Sequence, residues 1–182
     1  MRHFVRIADG IDTLPLQLEL TRNEALWDAL PTRRLYDGTP HGAMTDIYAR
    51  YMPEADLTDL AVRRREHRNV WWPAWHALPA LRPLVFGLMA RVQAVELGSV
   101  LLTRLPPGGE ILPHSDAGSW APTYYHCKAH VTVSGSAIVR VEDEQVRFEQ
   151  GSIWTFDNLK MHAIANDGDV DRVVVIVSMR AE

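Results

Sequence analysis

Three residues of the sequence have the types and spacing of a metal-binding set. His114 and Asp116 are separated by one residue, and His162 follows further along the chain. Two neutral imidazoles and one carboxylate bind one face of Fe(II), with Mn(II), Co(II) and Zn(II) as competitors, and they leave positions open for oxygen chemistry. Ten residues beyond His162, Arg172 offers a fixed cation that suits bidentate binding of a carboxylate. The pattern predicts an iron site beside an anchor for an acidic co-substrate.

Each of these residues has a plainer interpretation when it is taken alone. His114 could be a surface residue in a turn, with Asp116 as a cap, and Arg172 could pair with Asp169 or Asp171 in the turn before it. The metal interpretation is favoured because the three ligands and the cation occur together.

Strand alternation places further polar residues near this set. In the predicted strand Tyr125–Ser134, Cys127 belongs to an apolar face and is interpreted as buried and inert. The opposite face is polar, and it could line a barrel interior or point to solvent; its members are His126, Lys128, His130, Thr132 and Ser134. Arg172 shares a face with Val174 and Ile176 by the same alternation. A mid-strand ammonium such as that of Lys128 would need an anion if it faced inward.

The second half of the chain predicts about eight short strands without intervening helices. Turn residues such as Pro106-Pro107-Gly108-Gly109 and Asn166-Asp167-Gly168-Asp169 separate them. This succession is typical of a jelly roll or barrel. The predicted strands are Val100–Leu105, Glu110–His114, Tyr125–Ser134, Ala137–Val141, Gln145–Glu149, Ser152–Phe156, His162–Asn166 and Arg172–Met179.

The first half is more helical and is expected to pack on one sheet of that barrel. Thr21 and Glu24 have capping-box spacing for a helix Asn23–Leu30. The other predicted elements are strands at Phe4–Ile7 and Leu16–Leu20, an extended segment Ala43–Tyr51, and helices Glu54–His67 and Leu81–Val95. We expect a single domain over residues 1–182, with 1–98 as a support region and 99–182 as the catalytic core.

Composition fits an ordinary globular protein. The apolar fraction is 47%, the charged fraction 23% and the net charge −4, so no attraction to nucleic acid or anionic membranes is expected. Cys127 is the one cysteine, which excludes an intramolecular disulfide, and neither a signal peptide nor a membrane span is recognisable. A cytoplasmic location is therefore expected, while the oligomeric state is left open.

The segment from about Ser99 to Met179 resembles the aspartyl/asparaginyl β-hydroxylase branch of the Fe(II)/2-oxoglutarate-dependent oxygenases. This resemblance implies a double-stranded β-helix, cupin-like in form, and Fe(II), 2-oxoglutarate and O2 as cofactor and co-substrates. The residues that carry it are Thr103, Pro107-Gly108, Pro113-His114, Lys128-Ala129-His130, Gly151, Phe156-Asp157-Asn158, His162, Asn166 and Arg172.

The resemblance implies that His114 and His162 are the metal histidines. At position 116 the mammalian-type hydroxylases of this branch have glycine, whereas this chain has Asp116. We therefore expect a complete site of two histidines and one carboxylate. The turn Asp157-Asn158 and Trp120 are expected to support the ligands.

The resemblance also implies the residues that hold 2-oxoglutarate. Arg172 would bind its distal carboxylate, helped by the hydroxyl of Thr103. Position 128 is usually an arginine that contacts the co-substrate near the metal; Lys128 keeps the charge but loses the bidentate fork. His130 matches a histidine near the same site.

The substrate is the least determined part of the hypothesis. A free amino acid, a peptidyl Asp or Asn side chain and another small acid are all open, with candidate contacts at Ser115, Ser119 and Tyr124-Tyr125 and candidate cations at Arg33, Arg34, His41 and Arg50. Trp71, Trp72 and Trp75 are interpreted mainly as packing residues, and Arg63-Arg64-Arg65 as a solvated helix face.

Two alternatives to a 2-oxoglutarate-dependent hydroxylase are considered. One is a cupin-type metalloenzyme that does not use 2-oxoglutarate, although such sites tend to have three histidines and a glutamate. The other is a non-catalytic jelly-roll binding domain, which would have no need for three ligands and an acid anchor.

Overall fold

The computed structural model describes residues 1–57, 68–116 and 127–181. Eleven strands and five α-helices lie within these ranges. The strands are β1 Phe4–Ala8, β2 Thr45–Tyr51, β3 Val70–Trp71, β4 Ala94–Leu105, β5 Glu110–His114, β6 Cys127–Ser134, β7 Ser136–Val141, β8 Glu144–Glu149, β9 Ile153–Phe156, β10 His162–Ala165 and β11 Arg172–Ala181. The helices are α1 Leu14–Arg22, α2 Thr32–Leu35, α3 Glu54–Leu57, α4 Pro73–Ala77 and α5 Leu81–Arg91.

The described strands form two antiparallel sheets. The larger has seven strands in the order β1-β9-β6-β11-β4-β2-β3, and the smaller has four in the order β5-β10-β7-β8. From β4 to β11, successive strands alternate between the two sheets, except for the hairpin β7–β8, which lies in the smaller one. This alternation is expected for a double-stranded β-helix, so the predicted mainly-β jelly roll is confirmed. Strands from the first half of the chain, β1, β2 and β3, extend the larger sheet.

Helices α1, α4 and α5 cover the outer face of the larger sheet. Their apolar side chains, such as Leu16, Trp75 and Val85, form one buried cluster with sheet residues such as Val131 and Val175. Burying this apolar area contributes about 25 cal/mol per Å² to the free energy of folding. Because the helices cover the outer face, only the inner face of the larger sheet is left to line a cavity between the sheets. The predicted packing of the N-terminal helices on one sheet is confirmed.

A second apolar cluster fills one part of the space between the sheets. It joins Phe4 and Leu105 of the larger sheet to Val139, Phe148 and neighbouring residues of the smaller sheet. This cluster holds the two sheets together, and the polar residues of the inner face lie beside it.

The predicted alternation in β6 and β11 is correct, and its polar face points inward. Ala129 and Val177 pack in the cluster under the helices, whereas Lys128, His130 and Ile176 line cavities between the sheets. The alternative in which Lys128 and His130 project to solvent is therefore wrong. Cys127 is buried on the apolar face, as predicted, and burial raises the pKa of its thiol.

Two predictions near the N-terminus are wrong. The segment Leu16–Leu20 is part of helix α1, because its leucines also satisfy helical i, i+4 spacing: Leu16 and Leu20 are buried, whereas Leu14 and Leu18 are exposed. Thr21 does not cap a following helix, since its hydroxyl donates to the carbonyl of Gln17 one turn earlier.

The predicted helix Asn23–Leu30 is likewise wrong. Only a 3-10 turn, Glu24–Leu26, forms there, and Asp28 has a positive φ of 57° that an α-helix does not accommodate. Helix α5 ends at Arg91, earlier than the predicted Val95. Gln93 has a φ of 54°, and β4 starts at Ala94, six residues before the predicted Val100.

The remaining strand predictions agree with the structure to within two residues over the described part of the chain. Of the predicted helix Glu54–His67, the start Glu54–Leu57 is helical, and the rest lies outside the described residues. Among the described helices, none combines the length and apolar character needed to cross a membrane.

Candidate metal centre and its cavities

The two candidate metal histidines are direct partners across a strand pair. His162 at the start of β10 lies opposite His114 at the end of β5, and their ring centroids are 4.2 Å apart. A register shift follows between His162 and Ile164. Cross-strand partners project from the same face of a sheet, so the strand pairing alone brings the two imidazoles together.

Both imidazoles are oriented by the same local hydrogen bond. Nδ1 of His114 lies 2.8 Å from the carbonyl oxygen of Leu112, and Nδ1 of His162 lies 2.9 Å from that of Lys160. Because a carbonyl can only accept, each Nδ1 carries the proton and donates it. Each Nε2 therefore presents a lone pair, which is the form that a metal ligand requires.

Asp116 completes a set of three ligand groups. One ligand atom from each of His114, Asp116 and His162 lies within 4.8 Å of the other two, and Oδ1 of Asp116 is 3.8 Å from Nε2 of His114. The other oxygen, Oδ2, accepts hydrogen bonds from the Lys128 ammonium and, at 3.0 Å, from the side-chain amide of Asn158. This division leaves Oδ1 directed toward the imidazoles.

The predicted support from the Asp157-Asn158 turn is found in part. The backbone N–H of Asp116 donates to the Asn158 carbonyl at 2.9 Å, so Asn158 holds both the backbone and the carboxylate of Asp116. Asp157 instead accepts from the backbone of Leu159 and lies near His3. Trp120 is outside the described residues.

The protonation states of the three residues suit a divalent cation. Burial lowers the pKa of both His114 and His162, although their backbone hydrogen bonds act in the opposite direction. Burial would raise the pKa of Asp116, but the contacts with Lys128 and Asn158 outweigh it, and the net shift is downward. At neutral pH the set is two neutral imidazoles and one carboxylate.

An inner cavity of about 30 Å³ lies between the sheets beside these ligands. Its described lining includes His114, Asp116, Lys128, His162, Thr103, His130 and Arg172. The structure thus brings together all seven residues that the sequence nominated for metal and co-substrate. Apolar side chains, among them Ile164 and Ile176, form the rest of the wall.

Arg172 is the most unusual residue of this cavity. It is 1% exposed, and its Nε and Nη2 atoms have no hydrogen-bond partner among the described residues. The alternative of a pair with Asp169 or Asp171 is wrong, because no ion pair joins Arg172 to either carboxylate in the described part of the chain; the Asp171 carboxylate instead lies 4.0 Å from Nε of Arg104. Burial without a partner lowers the pKa of Arg172 to about 10, so it is still charged at pH 7.

Buried, unpartnered donors are costly unless a ligand satisfies them. His130 shows the same feature, since its Nδ1 is buried without a partner while its ring stacks on Phe156 at 4.8 Å between centroids. Burial holds the pKa of His130 well below 6.5. The unused donors of the Arg172 guanidinium, beside a neutral imidazole whose Nδ1 is unpaired among the described residues, make the inner cavity suited to an oxygen-rich anion.

A larger outer cavity of about 150 Å³ adjoins the inner one. The two share Arg33, His41, Asp116, Lys128 and Ile176, and the outer cavity adds the hydroxyls of Tyr51, Ser99 and Ser178 and the side chain of Leu101. The lining of the outer cavity is mainly polar, and Asp116 lies at its boundary with the inner cavity.

Of the four cations nominated for substrate, two reach the cavities. Arg33 lines both, and so does His41, whose ring meets that of His114 edge-on at 4.9 Å. His41 is not a cation, however, because burial and the neighbouring Arg33 lower its pKa to about 2. Arg34 pairs with Asp28 instead.

Arg50 also binds elsewhere, as its guanidinium lies over the ring of Trp71 at 4.8 Å and donates to the carbonyl of Asn69. Trp75 is buried and packs against Trp71, as the packing interpretation predicted. Ser115 is exposed. Ser119, Tyr124, Tyr125, His126 and Arg63-Arg64-Arg65 fall outside the described residues.

The sequence alone did not identify Asp46. This residue is 6% exposed on β2, and its carboxylate accepts from the Thr103 hydroxyl at 3.1 Å and from Nη1 of Arg33 at 3.2 Å. Burial raises the pKa of Asp46, against the opposing effects of Arg33 and Thr103. The available signal was an acidic residue within the predicted extended segment Ala43–Tyr51, directly before the apolar run Ile47–Ala49.

A family model described as aspartyl/asparaginyl beta-hydroxylase matches residues 73–182. No curated protein matches the chain. Among solved structures, a 2OG-Fe(II) oxygenase family oxidoreductase from Burkholderia pseudomallei is similar with a TM-score of 0.51 and 10% identity, over 75% of this chain and 66% of that one.

Two further solved structures align with lower TM-scores. A predicted oxalate decarboxylase from Thermotoga maritima aligns with a TM-score of 0.35 and 19% identity, over 46% of this chain and 67% of that one. A cupin superfamily protein from Desulfitobacterium hafniense has a TM-score of 0.35 and 14% identity, over 45% of this chain and 66% of that one. The alignments span about two thirds of each of these proteins.

Proposed function

Because the chain belongs to the aspartyl/asparaginyl beta-hydroxylase family, we propose that it is an Fe(II)- and 2-oxoglutarate-dependent dioxygenase. It hydroxylates an unactivated C–H bond of an amino acid or of a peptidyl Asp/Asn-type side chain, and it releases succinate and CO2. The observation that carries this proposal is the buried guanidinium of Arg172, whose Nε and Nη2 have no hydrogen-bond partner among the described residues, in the same cavity as the His114, Asp116 and His162 set.

The metal would be held by the imidazoles of His114 and His162 and the carboxylate of Asp116. Their protonation, the hydrogen bonds that orient them and their mutual distances all fit a divalent cation. The two-histidine, one-carboxylate set with open positions is the arrangement associated with non-haem Fe(II) oxygenases. Asp116 therefore serves as a third ligand in this chain.

2-Oxoglutarate is held by its distal carboxylate at Arg172, with Thr103 and His130 beside it. The guanidinium donates two parallel hydrogen bonds to a carboxylate, which satisfies the donors that are otherwise unpaired. The inner cavity of about 30 Å³ is narrow for a five-carbon diacid, so side chains have to move on binding. Lys128 is the flexible residue that we expect to leave Asp116 and turn toward the co-substrate.

The bound Fe(II) and 2-oxoglutarate supply the oxidising chemistry that converts C–H to C–OH. The chain's own residues orient and enclose these groups. Asn158 fixes Asp116, the carbonyls of Leu112 and Lys160 fix the imidazoles, and the apolar wall around Ile164 and Phe156 excludes water. Substrate enters the outer cavity, where Arg33 and the hydroxyls of Ser99, Ser178 and Tyr51 offer polar contacts.

The alternatives lack a comparable observation. In a cupin-type enzyme that does not use 2-oxoglutarate, no carboxylate of that co-substrate would pair with the donors of Arg172. A non-catalytic binding domain would need neither those donors nor a three-ligand set.

Uncoupled turnover tests the proposal directly. Protein supplied with Fe(II), ascorbate, O2 and 2-oxoglutarate should form succinate without added substrate, and added amino acids or acidic peptides that are substrates should increase the rate. A His162→Ala variant serves as the inactive control. Absence of succinate, together with no binding of 2-oxoglutarate to the Mn(II)-loaded protein, would refute the assignment.

A further inference from the structure

Asp46 sits against the proposed co-substrate site without facing the metal. It lies opposite Thr103 in the pairing of β2 with β4, and it accepts a hydrogen bond from Oγ1 of Thr103 at 3.1 Å. An ionised carboxylate can only accept, so the single hydroxyl proton of Thr103 is directed to Asp46. Thr103 is 1% exposed and lines the inner cavity, so its hydroxyl is shielded from bulk solvent.

Arg33 is the counterion of Asp46. Its Nη1 lies 3.2 Å and 3.3 Å from the two carboxylate oxygens, and its Nη2 lies 3.5 Å from Nε2 of His41. Arg33 lines both cavities. A buried polar chain therefore runs from Thr103, in the inner cavity, through Asp46 to Arg33, at the boundary with the outer cavity.

The hydrogen bond to Asp46 conflicts with the role expected of Thr103. The inference rests on the proposed function, in which the distal carboxylate of 2-oxoglutarate lies at Arg172 and Thr103. Two carboxylates then flank one hydroxyl, and its proton can serve only one of them. They also repel each other across a site that has little water to screen them.

We propose that Asp46 is a positioning residue that limits the affinity of the inner cavity for dicarboxylates by withholding the hydroxyl proton of Thr103. Arg33 contacts both carboxylate oxygens of Asp46, balances its charge and opposes the rise in its pKa that burial causes. The product succinate carries the same distal carboxylate as 2-oxoglutarate, so its affinity is limited in the same way. Asp46 therefore favours release of the product at the cost of weaker binding of the co-substrate.

The variant Asp46→Asn tests this directly. An amide removes the negative charge and can donate to the oxygen of Thr103, which frees the hydroxyl proton for the ligand. Titration of the Mn(II)-loaded protein should show about three- to tenfold tighter binding of both 2-oxoglutarate and succinate, the net value of one typical hydrogen bond. Mn(II) affinity should stay the same. Asp167→Asn is the matched control, since Asp167 makes an exposed pair with Arg147.

A double-mutant cycle with Thr103→Val separates the hydroxyl from the charge. If Asp46 acts mainly through the hydroxyl, Asp46→Asn gives a clearly smaller gain in the Thr103→Val background, where only the charge repulsion is relieved. A gain that persists in full there would overturn the proposed route, and equal or weaker binding by folded Asp46→Asn would overturn the role of Asp46. The variant Asp46→Ser, neutral and able to donate, repeats the test if the amide variant does not fold.

The outcomes distinguish this inference from the proposed function. Wild-type protein that binds Mn(II) but neither dicarboxylate contradicts the 2-oxoglutarate assignment itself. Wild-type protein that binds both, with no tightening in either Asp46 variant, contradicts only the role of Asp46. In turnover, Asp46→Asn should lower the KM for 2-oxoglutarate and lower the inhibition constant of succinate.

Discussion

His114 and His162 face each other across the β5–β10 pair, and each donates its Nδ1 proton to the backbone carbonyl two residues before it. The backbone of β5 therefore orients His114, and the backbone of the turn directly before β10 orients His162. Sites built on strands hold ligand geometry more precisely than sites on loops. We expect the metal site to be preorganised before any ion binds.

Replacing His162 by alanine should abolish metal binding. The change removes one of three ligands and leaves His114 and Asp116 as an incomplete set. Loss of a residue that only supports a ligand costs up to about a hundredfold in metal affinity, so loss of the ligand itself should lower Mn(II) affinity by more than that. Calorimetric titration measures it. His76→Ala on helix α4, where His76 is exposed, is the matched control; binding of Mn(II) by the His162 variant at wild-type strength would show that the ligand set is assigned wrongly.

Asn158→Ala should weaken metal binding without abolishing it. The side-chain amide of Asn158 donates to Oδ2 of Asp116 and so directs Oδ1 to the ion. Loss of such a partner costs about 10- to 100-fold in metal affinity. Titration with Mn(II) measures the change, and the contact between Asp116 N–H and the Asn158 carbonyl should persist because it involves only backbone. An unchanged affinity would mean that Lys128 alone orients Asp116.

The second half of the fold was predictable because turn residues mark almost every strand end. Pro106-Pro107-Gly108-Gly109 separates β4 from β5, and alternation in β6 assigns Lys128 and His130 to the face that proves to be interior. Local sequence determines both features, since the turn types and the period of two act within a few residues.

Features that depend on long-range contacts were not predictable. The segment Leu16–Leu20 fits both strand and helix spacing, and its packing under the larger sheet decides for the helix. Asp46 is 57 residues from Thr103, and its importance depends on β2 joining β4. A single sequence does not specify that pairing.

The variant Arg172→Met should be more stable than the wild-type protein in the absence of ligand, although it should not bind 2-oxoglutarate. Burial without a partner lowers the pKa of Arg172 from 12.5 to about 10, which corresponds to a desolvation cost of about 3 kcal/mol. An apolar side chain of similar length removes this cost, so the free energy of unfolding of the ligand-free protein should rise, by up to that amount. Urea denaturation measures the rise.

The same variant should retain Mn(II) affinity and lose 2-oxoglutarate binding. Arg180→Met, which removes an exposed arginine from the same strand, is its control. Arg172→Met with unchanged 2-oxoglutarate binding would contradict the proposed anchor, and a less stable variant would show that Arg172 has a structural partner.

Stability of the metal-free protein should decrease as the pH falls below about 6.5. Burial holds the pKa of His130 well below its usual 6.5, so the unfolded chain binds a proton that the folded chain does not. Between the two pKa values this group lowers the free energy of unfolding by about 1.4 kcal/mol per pH unit. Urea denaturation at pH 7, 6 and 5 in EDTA should show a shallower pH dependence for His130→Gln, and parallel curves for the two proteins would contradict the assignment.

Gly135→Ala should disturb the co-substrate anchor through the backbone. Gly135 joins β6 to β7 with a φ of 66°, and a Cβ there would lie 2.8 Å from the carbonyl oxygen of Asp171 and 3.1 Å from Cα of Arg172.

Gly10→Ala is a matched control, because Gly10 has a φ of 65° and nothing within 4 Å of its Cβ position. Positive φ alone costs about 1–2 kcal/mol in both variants. Gly135→Ala should lose more stability than that and should also weaken 2-oxoglutarate binding, while Mn(II) affinity is retained; equal effects of the two variants would show that the start of β11 tolerates the displacement.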